Sequence, residues 1–180
     1  MSPADDVETV PPSAPPRRIA LFVAVALVVL ALDVVSKVLV VANLSPGEHA
    51  RILGGAFWLQ VARNSGAAFS LGTGFTVILT LVAAVVVAVI VRTASRLHSR
   101  GWAVALGLIL GGAVGNLTDR IFRGPGVFRG HVVDWISLFG PDAEHWPIFN
   151  LADSAIVCGA VLAAGLSLFG VAIDGTKARG

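Results

Sequence analysis

Four stretches of this chain are nearly unbroken hydrocarbon, separated by two long mixed segments and one short basic turn. Residues 19–41 are apolar except for Asp33, Ser36 and Lys37. Residues 75–91 are rich in Val and Leu and carry no charge; a third run starts at Trp102 and a fourth ends at Ile173. Each approaches the ~20 residues that a helix needs to cross the hydrocarbon of a bilayer. The pattern predicts an all-α membrane protein, a bundle of four transmembrane helices over about 19–41, 75–91, 102–119 and 154–173. The first run is too long for the apolar part of a secretory signal peptide, and it holds an acid and a base, so it is expected to stay as a span. Residues 43–74 are broken by Pro46, Gly47, Gly54 and Gly55 and contain the β-prone FWLQVA at 57–62, where a strand or two is expected. Residues 122–147, with four glycines and three prolines, are expected to form a second long loop.

The third run also has a readable face. Gly107, Gly111 and Gly115 recur every fourth residue, which permits close approach of a neighbouring helix, either within the bundle or from a second copy. Gly112, Asn116 and Arg120 form a second row with Asp119 beside it, so this side is expected to face the interior. The oligomeric state stays open.

Composition sharpens this picture. The 180 residues are 56% hydrophobic and only 13% charged, far from a soluble average. The formal charge of +2 is small, and the basic residues do not cluster with aromatics, which argues against a nucleic-acid partner. Residues 1–17, with five prolines and three acids, are expected to be a disordered tail, residues 18–173 the working domain, and 174–180 a second tail. Four spans put both tails on one side. Arg17, Arg18, Arg92, Arg96, Arg100, Lys177 and Arg179 flank that side in short segments, whereas Arg51, Arg63, Arg120, Arg123 and Arg129 lie in the longer opposite loops. By the positive-inside rule both termini are expected in the cytoplasm. Cys158 has no partner for an internal disulfide and is expected to be a small buried hydrophobe. No Cys/His cluster has zinc-ligand spacing, and neither a metal nor a cofactor is implied.

The chemistry concentrates between Gly111 and Ser154, where Asp119, Asp134 and Asp153 stand between two apolar runs. Carboxylates at the edge of hydrocarbon are costly and mark a candidate functional site. Asp134 and Asp153 are the pair of interest. Two carboxylates that approach closely share one proton, and such a pair can activate a water and protonate the group it attacks, with no metal. Other readings stand beside this one. Asp153 or Ser154 is suited to capping the fourth helix. Asp134 fits a solvated loop. Asp119 with Arg120 fits a structural ion pair at a helix end. Asp33 and Lys37, four apart with the acid first, fit an internal ion pair with Lys37 snorkelling toward the interface. Asn64, Asn116 and Asn150 lie near the same membrane level and suit either gripping a substrate backbone or turning the chain. A different class of function, a small ion-coupled membrane carrier with Asp33, Lys37, Asp119 and Asp153 as a proton relay, is the alternative, though the acids cluster at one face and no inverted repeat is visible. A structural subunit whose acids serve packing alone is a third.

Taken in order, Asp33…Lys37, Asn64-Ser65-Gly66-Ala67-Ala68-Phe69-Ser70, the run from Gly111 to Arg120 (GGAVGNLTDR), Val132-Val133-Asp134 and Phe149-Asn150-Leu151-Ala152-Asp153-Ser154 resemble the successive blocks of the bacterial lipoprotein signal peptidases (signal peptidase II). The resemblance covers about residues 18–173. It implies an intramembrane aspartic endopeptidase of the bacterial cytoplasmic membrane, which cleaves prolipoproteins just before a diacylglyceryl-modified cysteine. It implies that Asp134 and Asp153 are the catalytic dyad, and that Asn64, Asn116, Arg120 and Asn150 line or brace the substrate site. Asp33, Lys37, Gly66 and Asp119 are supporting residues of the same blocks. It also implies a small exoplasmic β-sheet cradle, the active site at that face, and lipid-modified prolipoproteins and membrane lipids as partners.

Overall fold

In the computed structural model, residues 17–66 and 74–177 are described. The tail 1–16, Ala67–Ser70 of the second block and Arg179 lie outside the described residues. Four helices carry the fold: α1 (Ile19–Asn43), α2 (Gly74–Thr93, prolonged by a 3-10 turn at Ala94–Arg96), α3 (Arg100–Phe122) and α4 (Leu151–Leu168). All four are long and apolar enough to cross a membrane. Helix α3 packs against each of the other three and is the most buried.

Burial along α1 follows one stripe, Phe22, Ala26, Asp33, Lys37 and Val40, while Leu27, Val28, Leu32 and Leu39 are more than half exposed. An apolar surface of this extent is untenable in water and is what a lipid-facing wall requires. Glycine lets the helices touch. A Cβ on Gly107 or Gly111 would meet the carbonyl oxygens of Phe22 and Ala26 at 2.9 and 2.6 Å, and one on Gly115 would meet Asp33 Oδ2 at 2.5 Å, so this row is consumed by α1. Gly112 is seated against the backbone carbonyl of Ala152 on α4. The two rows read as one interior side thus face two different helices. Phe22, Ile90, Leu97, Ala103 and Leu106 close a core at the end of the bundle where α1 begins and α4 ends.

At the opposite end sits a three-stranded antiparallel sheet, β1 (Ala50–Ile52), β2 (Phe57–Asn64) and β3 (Val132–Leu138), in that order. The expected strand at 57–62 is the centre of this sheet. The stretch 122–147 is not wholly a loop, as expected, because β3 lies inside it: VVDWISL pairs with β2 in the register Ala62↔Asp134 and Asn64↔Val132. Its β-branched and aromatic residues suit a strand, and it is buried on both faces. Helix α4 is displaced from the expected 154–173. It begins at Leu151 behind the N-cap Asn150, and it ends at Leu168. Gly170 has φ +66°, and the amides of Gly170 and Val171 donate to the carbonyls of Ser167 and Leu166 at 3.0 and 2.9 Å, a left-handed termination that only glycine adopts easily. Cys158 is exposed on the lipid-facing side of α4 rather than buried, since α4 is covered on one side only.

Candidate active site

The site is assembled where the C-terminal end of α3, the N-terminal end of α4 and strands β2 and β3 meet. Asp134 is delivered by β3 and is 3% exposed. Next to it, Phe149 is bridged back onto β3: its carbonyl accepts from the amides of Trp135 and Ile136 at 3.0 and 2.8 Å, and its amide donates to the Ile136 carbonyl at 3.0 Å. This return sets Asn150, fully buried, beside Asp134 and at the start of α4.

Asn150 does two things at once. As N-cap it closes a capping box: its Oδ1 accepts from the Asp153 amide at 2.9 Å, and Asp153 Oδ2 accepts from the Asn150 amide at 3.2 Å. Its Nδ2 donates to Asp134 Oδ1 at 2.6 Å. One asparagine therefore aims both carboxylates. Each acid has a second amide donor, Asn64 Nδ2 to Asp134 Oδ2 at 2.9 Å and Asn116 Nδ2 to Asp153 Oδ1 at 2.7 Å. Gly66, at φ +84°, turns its amide onto Asn64 Oδ1 at 2.7 Å, which fixes the direction of that donor.

Burial pushes the Asp134 carboxyl up to about 6; the charge of Asp153 adds to this, and the hydrogen bonds from Asn64 and Asn150 and the charge of Lys37 oppose it. Arg120 carries positive charge into the range of Asp134 and Asp153, and its Nη1 is buried with no hydrogen-bond partner among the described residues. A buried guanidinium nitrogen without an acceptor is costly, and it is a donor available to a guest.

Behind the two acids lies a second, closed network. Lys37 Nζ is bound to Asp33 Oδ2 at 2.7 Å, Asp119 Oδ2 at 3.0 Å and Asn116 Oδ1 at 3.1 Å. Asp33 Oδ1 accepts from the Ala152 amide at 3.1 Å, tying α1 to the first turn of α4. Asp119 accepts from the Val133 amide at 3.1 Å and pairs with Arg123, tying α3 to β3.

The expected Asp33–Lys37 pair is present, but Lys37 does not snorkel: it is 1% exposed, because Asp119 and Asn116 satisfy it inside the bundle. Asp119 pairs with Lys37 and Arg123 rather than with Arg120, since helical spacing of four, not one, brings side chains together. The N-cap of α4 is Asn150 rather than Asp153 or Ser154, and Asp153 caps as the third helical residue, through its side chain in the capping box. All ten residues singled out from the sequence fall in or directly against this cluster. Arg123 was missed, although its spacing of four from Asp119 was legible. The capping role of Asn150 was legible too, as Asn followed three residues later by Asp.

Asp33 and Asp119 are held on Lys37 and are not free acids of the kind that a proton relay needs. Among the described residues, no group of three or more His, Cys, Asp or Glu side chains is placed to hold a metal ion. Two carboxylates, each held by amide donors, thus stand together at one end of a bundle of four membrane-spanning helices. Residues 25–169 match the family model described as Signal peptidase (SPase) II. The lipoprotein signal peptidase of Mycobacterium avium (strain 104) is 52% identical over 166 residues, which cover 92% of this chain and 88% of that protein. That of Rhodococcus jostii (strain RHA1) is 52% identical over 171 residues, covering 92% and 83%. A solved structure titled "Bacterial membrane enzyme structure by the in meso method at 1.9 A resolution" superposes with a TM-score of 0.74 at 26% identity, covering 87% of this chain and 97% of that one. The chain belongs to the signal peptidase II family of aspartic endopeptidases.

Proposed function

We propose that Asp134 and Asp153 are the catalytic pair with which this enzyme removes signal peptides from prolipoproteins. The observation that carries the reading is the single side chain of Asn150, which holds Asp134 through Nδ2 and Asp153 through the capping box. Asp134, with its carboxyl raised to about 6, holds the proton of the pair. Asp153 takes a proton from a water as that water's oxygen attacks the scissile carbonyl carbon, and Asp134 gives its proton to the carbonyl oxygen. The tetrahedral gem-diol then collapses: the C–N bond breaks, the amine leaves with a proton from Asp153, and a hydroxyl proton returns to Asp134. Asn64, Asn116 and Asn150 orient the two acids, and Arg120 donates through its free Nη1 to a substrate carbonyl. Asp33, Lys37, Asp119 and Gly66 keep these groups in register.

The substrate is a prolipoprotein bearing a diacylglyceryl-modified cysteine, cut on the N-terminal side of that cysteine. A lipid-bearing substrate arrives sideways through the bilayer, and a site at the helix ends meets both lipid and water. The balance of basic residues favours cytoplasmic termini, which puts the acids and the sheet cradle at the exoplasmic face. The peptidase unit is residues 18–173, with the two tails outside it.

The test is a gel-shift cleavage assay in detergent with a diacylglyceryl-modified prolipoprotein beside the unlipidated form, run on wild type, Asp134→Asn and Asp153→Asn. Lipid-dependent cleavage by wild type is expected, with each variant lower by roughly 10²–10⁴-fold. Undiminished processing by either folded variant overturns the pair; equal cleavage of both substrates overturns the lipid requirement.

A further inference from the structure

At the end of the bundle where α1 begins and α4 ends, remote from the acids, lies an open cavity of about 910 Å³. Its walls are the last turn of α2, the first turn of α3 and the segment that follows α4. Arg92 and Arg96, one helical turn apart, stand on its rim, with Ser167 opposite and Trp102, Val171 and Ile173 as an apolar floor. The floor is fixed: Trp102 Nε1 donates to the Val171 carbonyl at 2.7 Å, and the amides of His98 and Ser99 both reach the Ile173 carbonyl at 3.1 Å.

The ion pairs among the described residues involve Lys37, His49, Arg123 and His145, so no carboxylate of the described residues pairs with Arg92 or Arg96. Arg18 comes to the same end, where its amide donates to the Leu97 carbonyl at 2.8 Å and its Nε is buried with no partner. One acid, Asp174, also lines the cavity; its Oδ1 accepts from the Thr176 amide at 2.9 Å and from Thr176 Oγ1 at 2.7 Å, and against two arginines it leaves the lining net positive.

We propose that this cavity binds the phosphate headgroup of an anionic phospholipid, with Arg92 and Arg96 as its cationic partners. The site is amphipathic in the way a lipid is. Leu168 and Phe169, 86% and 85% exposed, stand between the spanning part of α4 and the cavity wall at Ser167 and Gly170. Acyl chains running down the bundle pass these two side chains as the headgroup meets the arginines. A free phosphate has no use for that apolar shoulder, which is why a lipid rather than a soluble anion is the occupant. The placement uses only which helix ends share a face of the membrane, so it stands whatever the orientation of the chain or the fate of the peptidase reading.

Native mass spectrometry of the full chain, released from detergent with equal amounts of phosphatidylglycerol and phosphatidylcholine, reads the proposal directly. Wild type retains phosphatidylglycerol selectively, and Arg92→Gln/Arg96→Gln lowers its apparent affinity by roughly tenfold or more. Arg100→Gln, an exposed arginine on the same face but outside the cavity, leaves it unchanged. Absence of selectivity in wild type overturns the site, as does an equal loss in Arg100→Gln, which signifies diffuse charge. Glycerol 3-phosphate competing as well as the lipid overturns the lipid assignment in favour of a soluble anion. Monodisperse elution and an unchanged melting temperature of the double variant separate lost binding from lost fold.

Discussion

Asp134 and Lys37 are both almost wholly buried, yet their situations differ. Asp134 is answered by two neutral amides, so its charge is opposed mainly by burial, and its carboxyl rises to about 6. The sign of the resulting pH dependence follows: below about 6 the group holds its proton, above it the proton is lost, and kcat/KM is expected to fall on the alkaline side with a limb near that value. Two shifts test the cause. A bound lipidated substrate removes further water, so the limb in kcat lies above the limb in kcat/KM. Asn64→Ala deletes a donor that favours the carboxylate, so its limb moves up as well. Coincident limbs in wild type, or a downward shift in Asn64→Ala, speak against burial as the cause. Lys37 is answered by two carboxylates and an amide. Lys37→Met strands Asp33 without a counter-charge, and a loss of about 3–5 kcal/mol is expected. Asp33→Asn/Lys37→Met removes that stranded charge and is expected to melt higher than Lys37→Met alone. A double variant no more stable than the single one means the pair does not act as a unit.

At the scale of elements, the site depends on how closely α3 approaches α4. Asn116 and Asp153 face each other across that contact at 2.7 Å, and Gly112, one turn before Asn116, lies against the Ala152 carbonyl. A methyl group there has nowhere to go, because its neighbour is helix backbone rather than a flexible side chain. Gly112→Ala is expected to cost about 1–3 kcal/mol by overpacking and to lower cleavage as the two helices part. Gly126→Ala, where a Cβ meets nothing within 4 Å, serves as the control. Thermal melts in detergent beside cleavage rates check both; equal behaviour of the two variants removes the close approach as a requirement. The element that escaped the sequence reading is β3. Its VVDWISL is strand-like, but seven residues between Gly/Pro-rich segments also read as loop. Only pairing with β2, 70 residues from Asn64 to Asp134, makes it a strand.

The whole molecule is two ends joined by hydrocarbon. The acids, the asparagines and the sheet occupy one end; Arg18, Arg92, Arg96, the start of α1 and the end of α4 occupy the other. The orientation proposed for it has a direct check. In a Cys158→Ser background, Gly126→Cys is expected to react with a membrane-impermeant maleimide on intact spheroplasts, and Lys177→Cys only after permeabilisation. The reverse pattern inverts the topology and moves the acids to the cytoplasmic face.

The local pattern of the chain determined the four spans, their order and the sidedness of their basic flanks, because the bilayer imposes a length and a polarity that each span must meet on its own. It also marked Asp33, Lys37, Asn116, Asp119, Asp134, Asn150 and Asp153 as polar groups out of place, and the order of their blocks pointed to the family. Tertiary structure decided what each of them does. Asp33 meets the Ala152 amide across 119 residues, Lys37 meets Asn116 across 79, and Asn150 meets Asp134 across 16. Such meetings depend on where glycine lets two helices touch and on how a return strand is registered. Those are properties of packing in three dimensions, and no periodicity along one segment encodes them.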